Sequence, residues 1–274
     1  MARLPRMLFV AGMLSAVTAV AAFAAGSAKI RPPANIATAG KIVFCSDVTY
    51  PPEEYFKGST PIGSDVDIAA QVAKVMGVKS QIKNVIFDSI IPALLTKKCD
   101  AIISGMNDTP ARRKQVDFVD YLKVGQAVTV KKGNPIGFTT LASLAGRRVS
   151  VESGTTNRDF LAATSKKLVK EGKKAISIVT FPKDTDAFAA LLAGRVDAYF
   201  ADAPPAAYYA KTNSTKVEVC CHPINPIPIG IAIRKGDALR PAVQKAIAVM
   251  YATGAIKRIV TKWGMASAVQ LLKK

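Results

Sequence analysis

Histidine is all but missing: His222 is the one imidazole in 274 residues. That excludes a multi-histidine metal centre and argues against a histidine-based catalytic triad. Cysteine is sparse as well, with four residues, far too few for a miniprotein built on disulfides. Acid is scarce relative to base. There are 19 Asp plus Glu against 38 Lys plus Arg, a formal net charge of +19. Such an excess suggests nucleic acid or an anionic surface as partner. The basic doublets, however, are scattered from Lys97-Lys98 to Lys273-Lys274, with no interleaved aromatic motif, so nucleic acid is not expected. A Gly-rich phosphate loop ending in Lys-Ser or Lys-Thr is absent, and so is any metal-ligand spacing. No cofactor is expected. Short repeats are lacking too, since 18 Gly and 16 Pro follow no period. What is present is apolar bulk: 50% of residues are hydrophobic and 7% aromatic, too much for a disordered chain. The length suits one large or two ordinary domains.

The N-terminus reads as an export leader spanning residues 1–24. Arg3 and Arg6 form a basic start, and Met7 to Ala24 is uncharged and largely apolar. Ala22-Phe23-Ala24 is an A-x-A cleavage pattern, with Gly26-Ser27-Ala28 as an alternative. A retained anchor helix is the competing reading; the Ala-rich composition favours cleavage. The expected compartment is the periplasm. Removing two Arg lowers the net charge from +19 to +17 (36 bases against 19 acids). Oxidising surroundings would let cysteines pair. Cys45, Cys99, Cys220 and Cys221 allow three connectivities, and buried free thiols are the simpler reading for Cys45 and Cys99.

Beyond the leader, strand and helix patterns alternate. Lys41 to Cys45 reads as a strand and Tyr50 to Pro61 as a loop or hairpin. Ser64 opens a helix, with Asp67 completing a carboxylate capping box. Gln81 to Val85 is a strand, Phe87 to Lys98 a helix and Asp100 to Ser104 a strand. The pattern repeats from Arg147 to Phe200, and a last strand (Ile229 to Arg234) precedes two helices. An α/β fold of two parallel-rich sheets follows. Ligands of open α/β sheets bind beyond the carboxyl ends of strands, and clefts between domains are favoured sites. The residues at those ends include Asp47, Tyr50, Ser104, Gly105, Asn107, Thr155, Thr156, Asn157 and Asp202.

The order and spacing of several segments carry a resemblance. They are Gly63-Ser64-Asp65-Val66-Asp67, Phe87-Asp88-Ser89-Ile90-Ile91-Pro92, Asp100-Ala101-Ile102-Ile103-Ser104-Gly105-Met106, Thr109-Pro110-Ala111-Arg112, Gly154-Thr155-Thr156 and Gly230-Ile231-Ala232-Ile233. Together they make the chain similar to the polar amino-acid-binding proteins of bacterial ABC importers. The resemblance implies a two-lobed periplasmic-binding-protein fold with a hinge and an interlobe cleft. Lobe one would hold residues 29–124 and 230–274, and lobe two residues 128–225. It also implies a small-molecule ligand, a membrane permease as partner, and a monomer that closes around its ligand.

The resemblance further implies roles. Arg112 would hold an α-carboxylate with its guanidinium fork, and Asp202 would meet the α-ammonium, although a helix cap before Ala203 is the plain alternative. Thr155, Thr156 and Asn157 would supply anion contacts at a helix start. Ser104, Gly105 and Asn107 would line lobe one. Tyr50 and Phe87 would sandwich the ligand side chain. Asp47 and Glu152 would face a cationic or amide-bearing side chain. Glu53-Glu54 departs from the family pattern by placing acids where relatives carry Phe. Two alternatives to transport stand: a periplasmic dehydratase or lyase on the same scaffold, and a ligand sensor. No paired catalytic signature supports the former.

Overall fold

The computed structural model describes Met1, residues 30–220 and residues 222–272; the leader pattern, Cys221 and Lys273-Lys274 lie outside the described residues. Two long strands organise the molecule. Val116–Lys131 and Ile224–Arg234 run antiparallel to each other from Val116/Arg234 to Gln126/Ile224. On one side of this pair lie the parallel strands Ala101–Ile102, Lys41–Ser46 and Lys79–Asn84. On the other lie Ala198–Asp202, Arg148–Glu152 and Ser177–Phe181, again parallel to one another.

Two parallel-rich halves were expected, and both are present. They are not separate sheets, because the long strands pair with members of each half and make one ten-stranded ladder. Two hydrophobic cores clothe each half. One extends from Ile36 to Val124 and again from Ile229 to Met265; its counterpart across the ladder runs from Val128 to Phe200. Pairing in the long ladder slips between Ile224 and Ile227 and between Ile229 and Gly230. Gly125 lies at the first slip, where a Cβ would come within 2.7 Å of the Pro223 side chain and 3.0 Å of the Ile224 carbonyl. A close backbone approach, not a special φ, requires glycine there.

Local differences have physical causes. Ser64 is the first helical residue of Ser64–Val75, not its cap. Gly63 takes the cap position at φ +141°, where any Cβ would collide with the Glu53 carbonyl. The Ser64–Asp67 capping box is therefore not formed, and Asp67 instead accepts from Trp263 Nε1 and Lys262 Nζ, both at 2.7 Å. The segment from Phe87 breaks into a 3₁₀ turn, Phe87–Ser89, before the helix Ile90–Leu95. Pro92 sits in the first turn of that helix, where its missing N–H costs nothing. The free-thiol reading of Cys45 and Cys99 is overturned: the two form a disulfide with Cα atoms 5.7 Å apart. Both are buried, and the bond ties the strand Lys41–Ser46 to the loop that leads into Ala101–Ile102.

Candidate functional site

Each half of the sheet has the strand order second, first, third. In such a sheet the crossovers leave the first strand in opposite directions, so a crevice opens between the carboxyl ends of the first and third strands. In one half those ends carry Asp47 and Ser104-Gly105. In the other they carry Glu152 and Asp202. The two crevices face each other and form one narrow cleft, lined by Asp47, Tyr50, Glu54, Phe87, Ser104, Gly105, Asn107, Glu152, Thr155, Asn157 and Asp202.

Ten of the twelve residues expected at a site thus converge on one space. Arg112 and Thr156 do not line it; they stand at its rim and stitch the two lobes together. Arg112 Nη1 donates to the Asn107 carbonyl (2.9 Å) and Nη2 to the Gly154 carbonyl of the opposite lobe (3.2 Å). Its guanidinium lies 5.2 Å from the centre of the Phe87 ring, so one face of that ring is already taken by a cation. Thr156 Oγ1 donates to Asn107 Oδ1. Further bonds cross the cleft: Ser153 Oγ donates to Asp88, and the Asp202 N–H donates to the Tyr50 hydroxyl at 3.1 Å. The lobes are in a closed arrangement.

The lining is held in place by its own polar groups. Asp47 accepts from the Thr49 hydroxyl (2.8 Å) and from the Phe87 N–H (2.7 Å). The Ser104 hydroxyl receives the Asp47 N–H and donates to Glu54 Oε1, both at 2.8 Å. Gly105, at φ +49°, sits under the Tyr50 ring, where a Cβ would lie 3.3 Å from Cε1. Asp65 fixes its backbone by accepting the Gly105 N–H at 2.8 Å. Asn157 accepts from Gln126 of the long strand (2.8 Å) and donates to Asp202 Oδ1 (3.1 Å).

Two expected alternatives can now be compared. Thr155 does cap the helix Thr156–Lys170, accepting the Arg158 N–H at 3.2 Å. Asp202 occupies the cap position of Ala203–Thr212, but its side chain makes no capping bond; the carboxylate turns toward Asn157 and the cleft. Glu54 is the lining residue that the sequence reading did not include. Its signal was the Glu53-Glu54 pair after Pro51-Pro52, two adjacent acids with no neighbouring base.

The electrostatics of the cleft are one-sided. Four carboxyls line it, and no lysine or arginine does. Burial removes the water that stabilises their charge. It pushes Asp202 up to about 6, opposed by hydrogen bonds from Asn157 and Tyr50 and by Arg112. Burial raises Asp47 as well, and lifts Glu54 and Glu152 well above the usual carboxylate range. Asp184 at the back of the second lobe adds to the repulsion on Glu152. Burial also lowers Arg112, with Asp202 opposing. Glu54 Oε2 and Glu152 Oε1 are buried without a hydrogen-bond partner. A space surrounded by unpaired acid is suited to a ligand that brings positive charge. Among the described residues no cluster of acids, histidines and cysteines has a metal-binding arrangement.

Residues 42–266 match the family described as bacterial extracellular solute-binding proteins, family 3. The chain is 32% identical to ABC transporter arginine-binding protein 1 of Escherichia coli K12, over 82% of this chain and 91% of that protein. An ancestral arginine-binding protein, solved with arginine bound, superposes with a TM-score of 0.76 at 35% identity, covering 82% of this chain and 98% of that one. An ancestral amino-acid-binding protein, a precursor of cyclohexadienyl dehydratase, gives 0.76 at 34% identity, covering 84% and 97%. Fold, cleft and family match agree, and the chain belongs to the bacterial extracellular solute-binding proteins of family 3.

Proposed function

We propose that this protein is the solute-capturing component of a bacterial ABC importer, and that it takes up an α-amino acid in the periplasm and presents it to a membrane permease. The observation that carries this reading is the pair of facing sheet crevices, with Asp202 inside the cleft and Arg112 at its rim. Two of the five guanidinium donors are engaged with carbonyls, which leaves three for a carboxylate. Asp202 meets the ammonium, and the first N–H groups of the helix Thr156–Lys170 assist at the carboxylate end. The division into residues 29–124 plus 230–274 and residues 128–225 follows the cores, with the two long strands as the hinge. Closure is favoured because the ligand contacts both lobes only when they are shut. The N-terminal leader pattern supports export, and relatives named for amino-acid binding support the ligand class.

The test is calorimetry of the leaderless protein with a panel of the common amino acids. Arg112→Ala should weaken binding of the best ligand by about thirtyfold or more, the cost of unpairing a buried charge. Near-wild-type affinity would remove Arg112 from the role.

A second reading, a dehydratase on the same scaffold, draws on the ancestral relative and on the protonation-prone Glu152. The four acids of the cleft argue against it, because cyclic prephenate-like acids bring negative charge of their own. Turnover of such acids by the purified protein would reverse the preference.

A further inference from the structure

Charge is divided unevenly between interior and surface. Seven of the 19 acids are buried, four of them in the cleft lining, whereas no lysine or arginine is among the buried residues. The outer surface is therefore more basic than the sequence total, and at one end of the molecule the excess is concentrated. In a parallel α/β lobe, strand carboxyl ends and helix N-termini point one way, strand N-termini and helix C-termini the other. Lobe two meets the cleft with the first of these ends. At the opposite end, Lys131 closes the strand Val116–Lys131, Lys132 follows it, and Arg147-Arg148 leads into Arg148–Glu152. Lys170 ends the helix Thr156–Lys170, with Lys173 and Lys174 in the loop beyond. Arg195 follows the helix Asp184–Leu192, Lys211 lies in the last turn of Ala203–Thr212, and Lys216 precedes Val217–Val219. All ten are exposed. Three acids share this end, and each is already ion-paired there: Glu171 with Lys173 at 3.1 Å, Asp197 with Arg148 at 2.7 Å and Glu218 with Lys132 at 3.0 Å. Helix C-termini favour cations, which accounts for Lys170 and Lys211 but not for the bases on strand ends and loops.

We propose that this end of lobe two docks on an anionic lipid bilayer, its lysines and arginines lying among phosphodiester headgroups. The inference goes beyond solute capture and rests only on the export part of the proposed function. Seven of the ten bases are lysines, hydrated and mobile point charges that suit a fluid sheet of phosphates. A fixed acidic protein face would favour the bidentate fork of arginine. The end is broad, built from five separate connections, and Val169 is its one exposed large hydrophobic among the described residues. Attraction is therefore electrostatic and reversible, without insertion. Because the cleft lies at the other end of the same strands, a docked molecule still opens, closes and exchanges its ligand.

The experiment is co-sedimentation of the leaderless protein with vesicles of equal parts phosphatidylcholine and phosphatidylglycerol, with pure phosphatidylcholine as the neutral reference. Each Lys or Arg close to an anionic surface adds roughly fivefold in affinity, so anionic vesicles should bind at least about a hundredfold better at low salt. The preference should shrink as ionic strength rises from about 0.01 M to about 0.15 M, where the screening length falls from about 30 Å to about 8 Å. Lys170→Gln/Lys174→Gln/Lys216→Gln should weaken anionic binding by about a hundredfold. Lys41→Gln/Lys79→Gln/Lys97→Gln, an equal loss of charge from lobe one, should weaken it by less than about fivefold. Equal binding to the two vesicle types would overturn the inference and return this surface to an acidic protein partner or to solvent. Equal losses in the two triple variants would also overturn it, by making net charge and not this end the cause. The wild-type comparison stands without either variant. Amino-acid affinity should be the same in both variants and with or without vesicles, so failure here leaves solute capture standing, and failure to bind any amino acid leaves the docking result readable.

Discussion

The Cys45–Cys99 bond permits a quantitative test of how the cleft is supported. The perturbation is the double variant Cys45→Ala/Cys99→Ala. The bond spans 54 residues of sequence, and closing a loop of that length removes enough denatured-chain entropy to stabilise the fold by about 4 kcal/mol. In a protein of this size, 1 kcal/mol moves Tm by roughly 2–4 °C. Scanning calorimetry should therefore find the variant melting roughly 8–16 °C lower. Affinity at 25 °C should change little. Asp47 and Ser104 are positioned chiefly by the parallel ladder of Lys41–Ser46 with its two neighbours and by the Asp47–Ser104 hydrogen bond, which the variant retains. A Tm within about 2 °C of wild type would refute the loop-entropy argument. Lost binding in a variant with a normal melt would refute the claim that the ladder, and not the bond, positions the site.

Two further outcomes are expected. Asp202→Asn should weaken amino-acid binding by about 3 kcal/mol or more, on the order of a hundredfold, because a buried ammonium loses its counter-charge; fluorescence or calorimetric titration reads this directly. The ligand-free closed protein should lose stability as pH rises from about 4 to about 7. Asp65 and Asp202 are raised to about 6 and Asp184 to about 7, so the folded state holds protons that the unfolded chain releases at lower pH. Their contribution is full below the unfolded values and is lost as pH passes the folded ones. Thermal melts between pH 4 and 8 test the slope, and Asp184→Asn should flatten its upper part.

Much of the architecture was legible because strand–helix alternation is a local signal. The strands near Lys41 and Arg148 and the helices near Arg158 and Ala238 needed no tertiary information. Val116–Lys131 was harder to read. Its pairing partner lies over a hundred residues later, and burial on both faces suppresses the alternation that marks a strand. The site was legible as strand ends, and family resemblance gave ten lining residues their positions. Glu53-Glu54 was noted only as acids in place of a family Phe; that Glu54, buried, faces the cleft depends on how the small sheet of Thr49–Tyr50, Glu54–Lys57 and Thr60–Ile62 folds. Arg112 was read as the residue that holds a ligand carboxylate. Its placement at the rim depends on the Asn107 and Gly154 carbonyls, which come from opposite lobes and meet only after closure.

The interleaved chain path bears on biogenesis. The core that begins at Ile36 is completed only by Ile229 to Met265, so that half cannot consolidate until nearly the whole polypeptide has been synthesised. The half built between Val128 and Phe200 is contiguous and can collapse on its own. Late, long-range closure slows folding. If the chain is exported as proposed, that delay would keep the first half threadable until the C-terminal segment has crossed.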